Sequence, residues 1–201
     1  MARCRLRRQT AESRLRARSL GMPERWGATP AEADAAYPCD QLVKGSYVPL
    51  VRAIDVEAPP AVTFRWLCQL RAAPYSYDWV DNLGRRSPRE LTPGLDQLEP
   101  GQEFAITRIT SFAPEHHITG RATRAAERLF GVISLTYAVT SRGARGSRLL
   151  VRLDVHPPTK MWEKARYTFL AWGDLIMMRK QLRTLKELAE QHATESGTIA
   201  G

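Results

Sequence analysis

The sequence predicts a single α+β domain in which a curved antiparallel sheet wraps a long C-terminal helix, with an apolar cavity between them. Three observations predict it. Residues 133–139 and 149–155 alternate apolar and polar side chains on either side of a turn bounded by Gly143 and Gly146, the pattern of a half-buried antiparallel hairpin. Residues 160–192 carry one long helical pattern, and no other segment matches its length. A sheet with one apolar face needs a cover, and only this helix is long enough to supply it.

The elements follow in order. Residues 1–25 hold eight arginines against two glutamates, so six of the chain's nine net positive charges belong to a basic, disordered N-terminal tail. Such an arm can meet nucleic acid or an anionic membrane through phosphate contacts, or can be an extension with no partner. Its arginine bias also makes Met22 an alternative start to Met1. A lead-in rich in Ala, Pro and Glu precedes a first strand at 46–56, which stops at Pro59-Pro60. Pro60 suits the first turn of a helix over 60–71, whose Val62, Trp66 and Leu70 fall at i, i+4 and i+8. After an aromatic segment at 74–84, period-two patterning resumes at Phe104, with Arg108 on the same parity as Phe104, Ile106 and Phe112.

In the final helix Trp162, Ala165, Phe169, Trp172 and Ile176 form a stripe that should pack inward. Met178, Leu182, Leu185 and Ala189 continue it after a small phase shift. Gly173, in mid-helix, marks a kink or a close approach to the backbone. The folded domain is thus placed at 26–192, with a short disordered tail at 193–201.

Composition and motifs exclude several function classes. No stretch approaches the roughly 20 apolar residues of a membrane span, and no secretory h-region opens the chain. Three cysteines (Cys4, Cys39 and Cys68) without C-x-x-C spacing argue against a disulfide framework or a cysteine-built zinc site, and fit a reduced, cytoplasmic setting. His116 and His117 point to opposite sides of a strand, so no metal is expected. No cofactor is expected either: the sequence has no nucleophile elbow, Walker loop or dinucleotide fingerprint.

Tyr75, Tyr77 and Trp79 share one parity, so an extended segment would aim all three rings the same way. They can line a pocket and orient a polar group of an apolar ligand, or close one end of the core. Asp78 and Asp81 would face away, capping a turn or pairing with Arg85 or Arg86.

Over residues 26–190 the chain resembles the START-like (SRPBCC) superfamily of helix-grip proteins. The carriers are Glu57-Ala58-Pro59-Pro60, Trp66-Leu67-Cys68-Gln69-Leu70, Tyr75-Ser76-Tyr77-Asp78-Trp79 with Asn82-Leu83, and residues 147–152 ahead of the Trp-containing helix. The aromatic segment is similar to a bacterial subgroup labelled polyketide cyclase/dehydratase or lipid-transport-like. The resemblance implies a cavity for a small apolar molecule, a lipid, polyketide or related metabolite. Its wall would be Trp66, Tyr75, Tyr77, Trp79, Phe169, Trp172 and Ile176. It also implies an alternative, acid/base cyclisation or dehydration in the same cavity. Arg108, Tyr77 and Tyr137 are then the candidate catalytic groups, and Glu115 or His117 could gate the mouth.

Overall fold

A computed structural model describes residues 21–77, 79, 86–158 and 160–199. Seven strands form one sheet: β1 (Arg25–Trp26), β2 (Val48–Val56), β3 (Glu103–Phe104), β4 (Thr107–Ala113), β5 (His117–Ala122), β6 (Ile133–Arg142) and β7 (Gly146–Val155). Their spatial order is β1-β2-β7-β6-β5-β4-β3. The β1–β2 pair is parallel and every other pair antiparallel. The helices are α1 (Pro30–Asp34), α2 (Pro60–Cys68), α3 (Arg124–Phe130) and α4 (Met161–Ile199), with 3₁₀ turns at Pro38–Gln41 and Gln69–Arg71.

Local chemistry explains these boundaries. Thr29 caps α1 in a reciprocal box with Glu32, and Pro30 occupies the first turn. The Pro59-Pro60 pair stops β2 and starts α2, whose Phe64, Trp66 and Leu67 are buried. Thr123 caps α3, which Gly131 ends at φ 86°. The chain leaves β5 after Ala122, where the Thr123 cap turns it into α3. Gly120 on β5 is needed for close approach, since a Cβ there would overlap the Thr107 side chain of neighbouring β4.

The main core lies between the inner face of the sheet and the helices. Val56, Leu135, Val139, Leu149 and Val151 pack with Phe64, Trp66 and Leu67 of α2 and with Leu182, Leu185, Leu188 and Ala189 of α4. The C-terminal half of α4 thus closes the core, while its first turns stand over open space. The helix continues to Ile199, beyond the boundary set at residue 192. The domain's near edge likewise starts before residue 26, because Arg25 pairs with Val51 and the Val51 N–H donates to the Glu24 carbonyl at 2.7 Å. The basic stretch at 1–20 lies outside the described residues.

The hairpin reading fails on one point. Residues 133–155 pair in the expected register, but the face read as wet is buried. Ser134, Thr136, Arg152 and Asp154 are covered by residues 28–39, and a second apolar cluster joins Ala33 to Val51, Ala53 and Leu150. A polar face reads as solvated from sequence, whereas here Ser134, Thr136 and Arg152 bond the Cys39 and Ala33 backbone of the N-terminal cover, and Arg152 in turn holds Asp154.

Candidate ligand-binding site

A cavity of about 1420 Å³ lies between the sheet and the first half of α4. Leu50 and Arg52 of β2, Leu135 and Tyr137 of β6, and Val151 and Leu153 of β7 form its floor. Tyr167, Leu170, Asp174, Met178 and Gln181 of α4 form its roof. Exposed Trp79, Phe169 and Ile176 are also on the lining, so they mark the mouth. The interior is mainly aliphatic, with two sets of polar groups set into it.

The first set centres on Arg52. Its inward parity with Leu50 and Ile54 buries the guanidinium almost completely, and Asp174 reaches it from α4, Nη2 to Oδ2 at 2.9 Å. Nη1 donates to the Glu24 carbonyl at 2.6 Å and to the Val51 carbonyl at 3.2 Å. Nε has no hydrogen-bond partner among the described residues. Tyr167 donates to the Glu24 carboxylate at 3.4 Å, at the edge of this cluster. Burial pushes the Asp174 pKa up, and the adjacent guanidinium opposes the rise. Burial pulls the Arg52 pKa down, and Asp174 opposes the fall. The pair is thus a near-neutral dipole inside an apolar wall.

The second set is Tyr137 and Gln181. The Tyr137 hydroxyl donates to Gln181 Oε1 at 2.6 Å, and Gln181 Nε2 donates to the Pro74 carbonyl at 2.7 Å. Phe104 packs edge-on against the Tyr137 ring at 5.4 Å. Burial drives the Tyr137 pKa far above its ordinary value, so this group is a fixed hydroxyl and not a phenolate.

The sequence-predicted residues divide. Tyr77, Trp79, Tyr137, Phe169 and Ile176 are on the cavity lining. Trp66 and Tyr75 lie in the core, ring against ring at 6.4 Å, because α2 turns Trp66 inward and Tyr75 bends the chain at φ 54° in place of an extended run. Trp172 lies off the lining on the outer side of α4, and Arg108 is exposed and paired with Glu103 at 3.2 Å. The tight turn at Ala105 (φ 50°) shifts the parity, so Thr107 and Ile109 face inward where Arg108 was expected. Glu115 and His117 sit at the β4–β5 turn, away from the mouth. Asp78, Asp81 and Arg85 lie outside the described residues. Gly173 shows no close approach: a Cβ there would meet nothing within 4 Å.

Sequence reasoning missed Arg52, Asp174, Gln181, Tyr167 and Glu24. Arg52 had a readable signal, a charge on the inward parity of an apolar strand. The other four carried none, since polar residues on a helix or a lead-in are ordinarily solvated.

One further group gathers potential metal donors among the described residues. Atoms of Cys39, Asp40 and Asp154, on the outer face of the sheet, lie within 4.8 Å of one another. The Arg152 guanidinium already supplies a cation there, at 2.6 Å from Asp154 and 3.3 Å from Asp40, and burial holds the Cys39 thiol protonated.

No protein-family model and no curated protein matches the sequence. Some solved structures resemble its backbone instead. A Mesorhizobium loti protein from a structural-genomics consortium is 13% identical over 71% of this chain and 97% of its own, with a TM-score of 0.47. The di-domain ARO/CYC StfQ of the steffimycin biosynthetic pathway is 15% identical over 74% of this chain, with a TM-score of 0.46; the match spans 52% of that protein. A Thalictrum norcoclaurine synthase mutant is 14% identical over 74% and 99% of the two chains, with a TM-score of 0.43. The topology itself, an open and mostly antiparallel sheet set against one long C-terminal helix, is a helix grip. No helix among the described residues is long and apolar enough to cross a membrane.

Proposed function

We propose that this chain binds a small, mainly apolar molecule in the cavity beneath α4 and orients it by one polar group at the Arg52–Asp174 pair. The observation that carries this reading is the composition of the cavity: aliphatic walls around an internally neutralised ion pair, its arginine buried and its aspartate partly buried. Such a site favours a neutral ligand, because a second net charge in an apolar enclosure would be expensive to desolvate. The unpartnered Arg52 Nε–H suits a ligand carbonyl or hydroxyl oxygen. A lipid, polyketide or related metabolite has this chemistry.

A second reading, cyclisation or dehydration of a polyketone, draws support from the same pair. A carboxylate able to accept a proton and a guanidinium able to stabilise an enolate stand 2.9 Å apart on the lining. Native mass spectrometry of protein purified from its own host should reveal a retained neutral molecule, and a neutral environment-sensitive dye should bind saturably at one per chain. Absence of both would overturn the binding reading. Turnover of a poly-β-ketone lost in Asp174→Asn, with dye binding intact, would select the enzyme.

A further inference from the structure

The first half of α4 carries an exposed aromatic face that meets the cavity only at Phe169 and Ile176. Trp162, Phe169, Trp172 and Ile176 are exposed by 60, 78, 43 and 53%. At 3.6 residues per turn these four and Ala165 fall within a sector about 80° wide. Single exposed apolar side chains are ordinary, but an aromatic stripe along two turns and more is a contiguous patch. It is the stripe that the sequence reading placed under the sheet.

Charge surrounds this stripe with one sign. The Arg166 guanidinium lies 5.8 Å from the Trp162 ring centre. Arg179, Lys180 and Arg183 continue the same sector C-terminally, with Arg179 and Arg183 over the Trp26 ring at 5.2 and 5.9 Å. At the other end Lys160 precedes the first turn, and Lys164 lies on that turn about 80° outside the sector. From 160 to 186 the acidic residues are Glu163 and Asp174, and both line the cavity instead.

We propose that this face docks on an anionic lipid bilayer, with the aromatic stripe at the headgroup–acyl boundary and the flanking cations on lipid phosphates. Tryptophan rings edged by arginine and lysine suit that boundary, where one side is apolar and the other charged. A second copy of the chain fits less well. Paired parallel, the Arg179–Arg183 end meets itself; paired antiparallel, it meets the Trp162 end with its Arg166. Neither arrangement supplies a carboxylate. Phe169 and Ile176 belong both to the stripe and to the cavity lining, so docking would set the mouth against the bilayer, where an apolar ligand partitions. The inference stands apart from what the cavity holds.

The test is co-sedimentation of the full chain with phosphatidylcholine vesicles, with and without phosphatidylserine. The wild type should bind the phosphatidylserine vesicles, less so as salt rises. Trp162→Ser/Trp172→Ser, two positions off the cavity lining, should weaken binding about tenfold or more with an unchanged circular dichroism spectrum. If that variant does not fold, the charge reversals Arg166→Glu/Lys180→Glu should show the same loss. Wild-type protein that ignores the vesicles, or variants that bind as well as wild type, would overturn the proposal. A dimer seen by light scattering and abolished in the tryptophan variant would give the face to a second copy instead.

Discussion

At the scale of single residues, the Arg52–Asp174 pair is the most consequential contact in the cavity. Two charges taken from water gain from each other only while both are present, so removing one exposes the full desolvation cost of the other. Asp174→Ala is therefore expected to destabilise by about 3–5 kcal/mol, read from urea unfolding midpoints at constant slope. Arg52→Met/Asp174→Leu should regain most of that loss, because an apolar pair suits the surrounding Leu50, Val151 and Leu153. A double variant no more stable than Asp174→Ala would mean that the Arg52 bonds to the Glu24 and Val51 carbonyls hold β1 and β2 together on their own account. Arg52 was legible in the sequence, as a charge among apolar neighbours on one strand face. Its partner was not, since 122 residues separate the two and no local rule links them.

At the scale of elements, the lesson concerns the phase of α4. The stripe through Trp162, Phe169 and Trp172 looks like a core because it is the more aromatic. The buried stripe is the one through Leu182, Leu185 and Ala189, carried back by threes and fours to Met178, Leu175 and Ala171. Asp174 and Gln181 interrupt it, so the sequence disguises a cavity-facing side as a wet one. The consequence is measurable by thermal or urea unfolding. Leu175→Ala, at a side chain 1% exposed, should cost about 2–5 kcal/mol. Trp172→Ala should cost less than about 1 kcal/mol, contrary to the burial that its hydrophobicity suggests. Equal losses at the two positions would return the aromatic stripe to the core. α2 was read correctly from its proline start and i, i+4, i+8 stripe, and the β6–β7 pairing from alternation alone, although the polar face of that hairpin is buried. Short pieces such as β1, β3 and α3 have too few residues to set a period, and tertiary contact decides them.

At the scale of the whole molecule, residues 21–47 are a second layer on the sheet, held by charges instead of a broad apolar surface. Arg148 makes paired bonds to Glu32 at 2.8 and 2.9 Å and reaches Asp55 at 3.0 Å. Arg152 bonds Asp154, Asp40 and the Ala33 carbonyl, with the Tyr37 and Tyr47 rings stacked at 5.7 and 5.6 Å. Two carboxylates thus share one guanidinium beneath a cover that excludes water. Burial, with the Asp40 carboxylate adding to it, overrides the attraction of Arg152 and pushes the Asp154 pKa up to about 7. A folded pKa above the unfolded one means that folding binds a proton. The stabilisation is complete below the unfolded value near 4 and is lost as pH rises through about 7. Unfolding free energy should then fall by on the order of 2 kcal/mol between pH 5 and 8. His117, whose pKa burial lowers, works in the opposite sense over part of that range, so the comparison with Asp154→Asn isolates the carboxyl. The variant should lose most of the slope, and amide exchange in residues 28–41 should stop accelerating with pH beyond its intrinsic base catalysis. Parallel wild-type and variant profiles would mean that Asp154 is ionised throughout, held by Arg152 alone, and that the cover is a plain salt-bridged layer without a titrating hinge.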